Sequence, residues 1–162
     1  MAYFSLFLSL LFGLSSLAAA FHRFEDSGAS AIDSARMMLR KYNLPEELFP
    51  VSFVTYFSFD KEDRAFHMRF ETLCYVKVSD EYLWYGEEVN GRVMYGRIED
   101  LTGVQSKVLL VWLPVRQLHV DDAKSGYVYL DVGPIYMKLS ASAFQSQLPC
   151  HNDDAGVFSL VS

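Results

Sequence analysis

The chain is poor in the residues that carry most recognisable chemistry. It has two cysteines in 162 residues, too few for a disulfide-dense mini-protein or a four-cysteine zinc site. No Cys-x-x-Cys or His-Glu-x-x-His occurs, and the four histidines, His22, His67, His119 and His151, are scattered. There is no Gly-x-Ser-x-Gly elbow, no Gly-x-x-x-x-Gly-Lys loop and no Gly-x-Gly-x-x-Gly. A hydrolase nucleophile elbow and the common nucleotide-binding loops are thereby missing. Asn-x-Ser/Thr is absent, so N-glycosylation is not expected. Lys plus Arg number 14 against 20 Asp plus Glu, for a net charge of −6 without any long basic run. Nucleic-acid binding is therefore not expected. Neither a cofactor nor a metal is implied by any of these patterns, and no catalytic residue stands out.

Charge is also missing locally. Residues 1–21 contain no Asp, Glu, Lys or Arg, and the run ends in Ala18-Ala19-Ala20. This is the pattern of a secretory signal peptide cleaved before Phe21. The apolar run is short for a membrane span and is diluted by serines and Gly13. The expected protein is a monomer of the secretory pathway, extracellular or endomembrane, without an integral span after cleavage.

What the chain does have is 51% hydrophobic residues, among them thirteen Phe, ten Tyr and two Trp. That is ample for one packed domain. The spacing divides the chain into residues 1–20, a polar lead-in over 21–29, one domain over 30–150 and a loose tail over 151–162. Ala31, Ile32, Ala35, Met38, Leu39 and Tyr42 recur at intervals of three and four, which predicts an amphipathic helix over 30–42. Ser30 with Asp33 suggests a capping box, Asn43 a left-handed close, and Pro45 prevents continuation. From Val51 onward the period changes to two. About eight short strands follow, separated by turn residues, and no strand–helix alternation occurs. Asn90-Gly91 predicts a two-residue hairpin between 81–89 and 92–98. Residues 108–113 are continuously apolar, which predicts a strand covered on both faces, with the helix as the cover. The expected fold is mainly β: an N-terminal amphipathic helix followed by a compact antiparallel β-barrel or roll.

Several ordered segments resemble the plant family known as domain of unknown function 538. They are Tyr42-Asn43-Leu44-Pro45-Glu46-Glu47-Leu48-Phe49-Pro50, Cys74, and Asn90-Gly91-Arg92-Val93-Met94-Tyr95-Gly96-Arg97-Ile98. Beyond these lie Leu101-Thr102-Gly103-Val104-Gln105-Ser106-Lys107, Trp112, Val115, Phe144 and Pro149-Cys150. Glu47 stands where the family usually has Gly. The resemblance implies a helix followed by a compact antiparallel β-barrel or roll on the secretory route, and it brings no catalytic residues. Proposals attached to the family include lipid binding, a likeness to bactericidal permeability-increasing proteins, and ester hydrolysis.

Three features bear on function. Tyr82 and Trp84 share one face of their strand, and Tyr129 lies in a later aromatic strand. Such aromatics suit either a small barrel's filled core or a ligand surface. Arg36, Arg40 and Lys41 collect at the helix C-terminal end of an otherwise acidic protein. They complement the helix dipole or meet an anionic head group. Cys74 and Cys150 form an even pair on an oxidising route, which favours one disulfide over two separate thiols. The expectation is a non-enzymatic protein that binds a lipid-like amphiphile through Tyr82, Trp84, Tyr129, Arg36, Arg40 and Lys41. A hydrolase of a wall polymer or lipid ester and an interaction module without a small ligand are the alternatives. His67 and His119 read as solvent-side strand residues, and Ser106 and Ser125 as turn residues.

Overall fold

The structure, a computed structural model, describes residues 23–121 and 126–153. The expected signal peptide, His22, Ser125 and most of the tail lie outside the described residues. The chain begins with strand β1 (Arg23–Ser27), followed by helix α1 (Ala29–Lys41) and a 3-10 turn (Val51–Phe53). Nine strands follow: β2 (Val54–Asp60), β3 (Ala65–Phe70), β4 (Cys74–Val78), β5 (Glu81–Met94), β6 (Arg97–Val108), β7 (Val111–Pro114), β8 (Gln117–Val120), β9 (Tyr127–Val132) and β10 (Ile135–Ser140). A last 3-10 turn spans Ala141–Phe144.

All strand pairs are antiparallel, in the order β1-β2-β3-β5-β6-β8-β9-β10, with β4 added to β5 and β7 to β6. All ten strands form one hydrogen-bonded sheet, and the long strands β5 and β6 join its larger part, called here the large sheet, to its smaller part, the small sheet. Their ends near Met94 and Arg97 pair with β3 and β8, and their opposite ends pair with β4 and β7. The register between them slips around residues 85–92, where a bulge lets one ribbon bend from the large sheet into the small one. Among the described residues β1 and β10 do not pair, so the sheet is open. The inward positions alternate as a half-buried sheet requires. Phe66, Met68 and Phe70 on β3, Leu83 and Tyr85 on β5, and Val128, Leu130 and Val132 on β9 form the core with buried residues of α1.

Helix α1 buries Ala31, Ala35, Met38 and Leu39. The two alanines leave room for a close approach to β2, and α1 also touches β1 and the 3-10 turn at Val51–Phe53. Asn43 takes the left-handed conformation expected of it, with φ +58°. The start differs from expectation. Gly28, at φ +62°, is the cap; no side chain caps the helix and no acid lies in its first turn. Ser30 Oγ instead donates to the Ser27 carbonyl at 2.8 Å.

Five further expectations are corrected. The polar lead-in contains β1, an edge strand whose Arg23 and Glu25 face water, as charged residues on a sheet edge commonly do. The strands number ten rather than about eight among the described residues. Asn90-Gly91 is not a turn; β5 runs through it, and the hairpin closes at Tyr95-Gly96, with Gly96 at φ +71°. Gly91 is instead needed for packing, because a Cβ there would lie 2.9 Å from Phe66 Cε1 and 3.0 Å from Ile98 Cγ2. Residues 108–113 are not a doubly covered strand. They form the tip of the β6–β7 hairpin, with Leu109 91% exposed, and α1 covers β2 instead. Ser106 is no turn residue; it is buried in β6, and its hydroxyl donates to Met137 Sδ at 3.0 Å.

Cys74 and Cys150 form a disulfide, with Cα atoms 5.1 Å apart. It fastens the end of the domain to β4, where His151 and Tyr75 exchange backbone hydrogen bonds of 2.8 and 3.0 Å.

Tyr85 ties the loop after α1 to the sheet. Its fully buried hydroxyl donates to the Leu48 carbonyl at 3.0 Å. Burial pushes this phenol well above its usual value of 10.0. The unfolded chain ionises at Tyr85 above about pH 10 while the folded chain does not. This contribution is therefore complete below that pH and declines as pH rises past it. Tyr85→Phe is expected to cost about 1 kcal/mol at neutral pH, since the Leu48 carbonyl loses its donor. The same variant should flatten the alkaline fall in stability. Urea melts of both proteins at pH 8 and pH 11 check both effects.

Candidate functional site

The basic residues of α1 fare differently from one another. The loop after Pro45 folds back along the helix and presents two carboxylates to it. Arg36 Nε donates to Glu47 Oε1 at 2.9 Å, and its Nη2 donates to Ser52 Oγ at 3.0 Å. Glu47 is nearly buried, and it is not among the residues with positive φ. Arg40 makes a two-point pair with Glu46, at 2.7 and 2.8 Å. The Arg40 hydrogen bonds hold the Glu46 carboxyl below its ordinary range, and Glu46 in turn raises the Arg40 guanidinium. Both arginines are thus engaged by carboxylates of their own chain. Lys41 instead leans over the Tyr42 ring, its Nζ 5.9 Å from the centroid.

Lys41 lies at an apolar cleft between α1 and strands β1 and β2. Phe24, Met37, Met38, Tyr42, Phe57 and Phe59 supply its carbon surface, with Lys41, Lys61 and Ser34 among its lining. The volume is about 240 Å³. Tyr42 and Phe59 meet edge to face at 6.0 Å. Met37 is 64% exposed and Phe24 43%, so the cleft shows carbon to solvent with two exposed lysines beside it. Its position follows from the fold. Helix α1 tilts its buried stripe onto β2, Met38 enters the core, and Met37, one residue earlier, is left at the rim.

Tyr82 and Trp84 are elsewhere, on the outer face of the small sheet. Successive rows across β4, β5, β6 and β7 place Lys77 beside Tyr82 and Lys107 beside Trp112, with Tyr75 next to Trp84. Lys77 Nζ sits 5.7 Å over the Tyr82 ring and Lys107 Nζ 5.4 Å over Trp112, both cation–π contacts. Tyr75 and Trp112 belong to the outermost strands, yet their rings meet at 5.6 Å. The small sheet is therefore strongly curled around this face. Trp84 also lines an open groove with Thr102, Gln105, Pro114, Arg116 and Gln117.

Tyr129 occupies a third place, on the outer face of β9, stacked on His119 at 4.9 Å with the rings 9° apart. Lys138 Nζ lies 3.7 Å from the neighbouring Tyr127 centroid. The six expected ligand residues thus fall on three surfaces, and only Lys41 lines the apolar cleft. Its partners Phe24, Met37 and Lys61 were missed by the sequence reasoning. The usable signal was Met37-Met38, where one methionine falls on the buried stripe and its neighbour must fall beside it.

His67 Nε2 is buried without a hydrogen-bond partner, 3.8 Å from Glu88, and no described hydroxyl or thiol hydrogen-bonds to it. No group of three or more His, Cys, Asp or Glu among the described residues is arranged to hold a metal. No described helix is long and apolar enough to cross a membrane.

No curated protein and no solved structure matches this chain. One family model does, that of the proteins of unknown function DUF538, over residues 35–145. The match runs from the middle of α1 through the last 3-10 turn, and includes the bent β5–β6 ribbon that organises both sheets. By this match over most of its length, and by the ordered segments that follow α1, the chain belongs to the DUF538 family.

Proposed function

We propose that the protein binds an amphiphile with a negatively charged head, its apolar part held in the cleft beneath α1 and its head beside Lys41 and Lys61. The observation that carries this reading is the cleft itself: carbon on its walls and two exposed lysines, on a protein of net charge −6. A volume of about 240 Å³ falls below the roughly 300–1,000 Å³ of drug-sized sites. It suits one short chain or the end of a longer one. Arg36 and Arg40 hold the loop that follows the helix and take no part in the head-group contact. Tyr82, Trp84 and Tyr129 stand on other surfaces and are given no role in the cleft.

The architecture is read as a roll, on the support of the curled small sheet whose edge aromatics meet. The protein is read as a monomer exported along the secretory route, and the uncharged N-terminal run and the disulfide support the export. The non-enzymatic reading is preferred because the cleft walls are mostly carbon, as a binding surface requires, with the Ser34 hydroxyl at the edge donating to the Asp26 carboxylate.

A dansyl-labelled fatty acid tests the proposal. Its fluorescence should rise on binding to the protein. Met37→Glu, which puts a carboxylate among the apolar walls, should abolish the signal. Lys41→Glu with Lys61→Glu should weaken binding by about tenfold or more, the scale of losing two nearby charge attractions. Equal binding by all three proteins would refute the cleft as the seat.

A further inference from the structure

The tip of the β6–β7 hairpin carries three consecutive apolar residues away from the protein. Leu109 is 91% exposed, Leu110 90% and Val111 58%. Leu109 also takes the left-handed conformation at φ +58°, where Gly or Asn is the ordinary occupant. A leucine there gains nothing from the folded monomer, since it contacts water. Behind the tip stand the side chains characteristic of a membrane interface. Lys107 pairs across the hairpin with Trp112, and the Trp112 ring meets Tyr75. Tryptophan and tyrosine favour the head-group level, and a lysine stem can lie along apolar surface with its charge in water. Residues 101–120 contain no acid in a chain with 20. Asp80 in the β4–β5 turn and Glu81 at the start of β5 put two acids close in register to Lys77 and Lys107.

We propose that the β6–β7 hairpin docks the protein on a lipid bilayer, with Leu109, Leu110 and Val111 entering the acyl boundary and Trp112, Tyr75 and Lys107 resting among the head groups. A second copy of the chain is the poorer occupant. A convex tip of three apolar residues offers far less than the roughly 1,000 Å² or more that a specific protein interface requires. Lipid has no such requirement, because it fills around a protruding side chain. The local balance of acids and lysines makes the contact one with apolar chains, so a zwitterionic bilayer suffices.

This surface is separate from the cleft. The cleft lies where the Tyr42 carbonyl accepts from the Gly96 amide, at one end of the β5–β6 ribbon, and the hairpin tip lies at the other. The docking inference therefore stands or falls independently of ligand binding beneath α1.

The test uses the full chain expressed in a secretory eukaryotic host, in the form that host releases. A Trp84→Phe background leaves Trp112 as the sole tryptophan of the two. Vesicles of phosphatidylcholine brominated on the acyl chains should quench its emission. Leu109→Glu with Leu110→Glu should remove the quenching, with a fall in vesicle affinity of about 100-fold or more, since each leucine contributes at least about tenfold. Both tip residues are exposed, so thermal melts should coincide, and Met37→Glu should be quenched like the parent. Absence of quenching in the parent overturns the proposal. So does equal quenching in the tip variant, or self-association of the parent in solution that the tip variant loses.

Discussion

Gly103→Ala is expected to lower the melting temperature by about 10 °C, the counterpart of about 3 kcal/mol in a domain of this size. Gly103 sits in β6 at φ +81°, opposite the slipped segment of β5. Any Cβ there would overlap the Glu88 carbonyl oxygen and lie 3.1 Å from the Val89 Cα. Two penalties combine, a left-handed backbone at a residue with a side chain and a steric overlap with backbone that cannot rotate away. The bend that lets β5 and β6 serve both sheets depends on this close approach. Gly126→Ala is the matched control: its φ is +67°, and a Cβ would meet nothing within 4 Å. It should cost only the backbone part, about 1 kcal/mol. Calorimetry on the two variants separates overlap from backbone conformation. Equal losses would show that the Glu88 contact yields.

Removing the disulfide through Cys74→Ala with Cys150→Ala is expected to have the larger effect, about 4–5 kcal/mol, or about 15 °C. The bridge closes a loop with a sequence separation of 76, and in the chain-entropy model long loops restrict the unfolded state most. A local effect accompanies it. The His151–Tyr75 backbone pair lies one residue from both half-cystines, so hydrogen exchange at the Tyr75 amide should quicken more than exchange in β3. Reductant should lower the melting point of the parent to that of the variant. A variant that melts with the parent would contradict the effect.

The parts of the fold legible in the sequence were those set by local rules. The α1 stripe buries Ala31, Ala35, Met38 and Leu39 at helical spacing, and Asn43 and Pro45 end the helix as their side chains dictate. Phe66, Met68 and Phe70 alternate inward on β3, and Gly133-Pro134 separates β9 from β10. The failures came where a distant partner overrode a local rule. Asn90-Gly91 has a hairpin signature, but Phe66 and Ile98 crowd Gly91 and keep β5 extended through it. The run at 108–113 reads as core by hydropathy, and only the pairing of Val108 with Val111 reveals a tip. Strand β1 is too polar to announce itself; it exists because β2 offers an open edge. At the candidate site, Arg36 and Arg40 looked available because the fold-back that brings Glu46 and Glu47 onto α1 leaves no periodic trace.

The binding proposal is tested most directly by nuclear magnetic resonance of the protein labelled with carbon-13 at its methionine methyls and titrated with dodecanoate. Five of the six methionines lie among the described residues and report from distinct places. Met37 and Met38 line the cleft, Met68 and Met137 are buried in the core, and Met94 lies near the β5–β6 turn. An amphiphile seated beneath α1 should shift the Met37 and Met38 methyls in a saturable way and leave Met68 and Met137 in place. Saturable shifts confined to other methyls, or no shift at any of them, would contradict it.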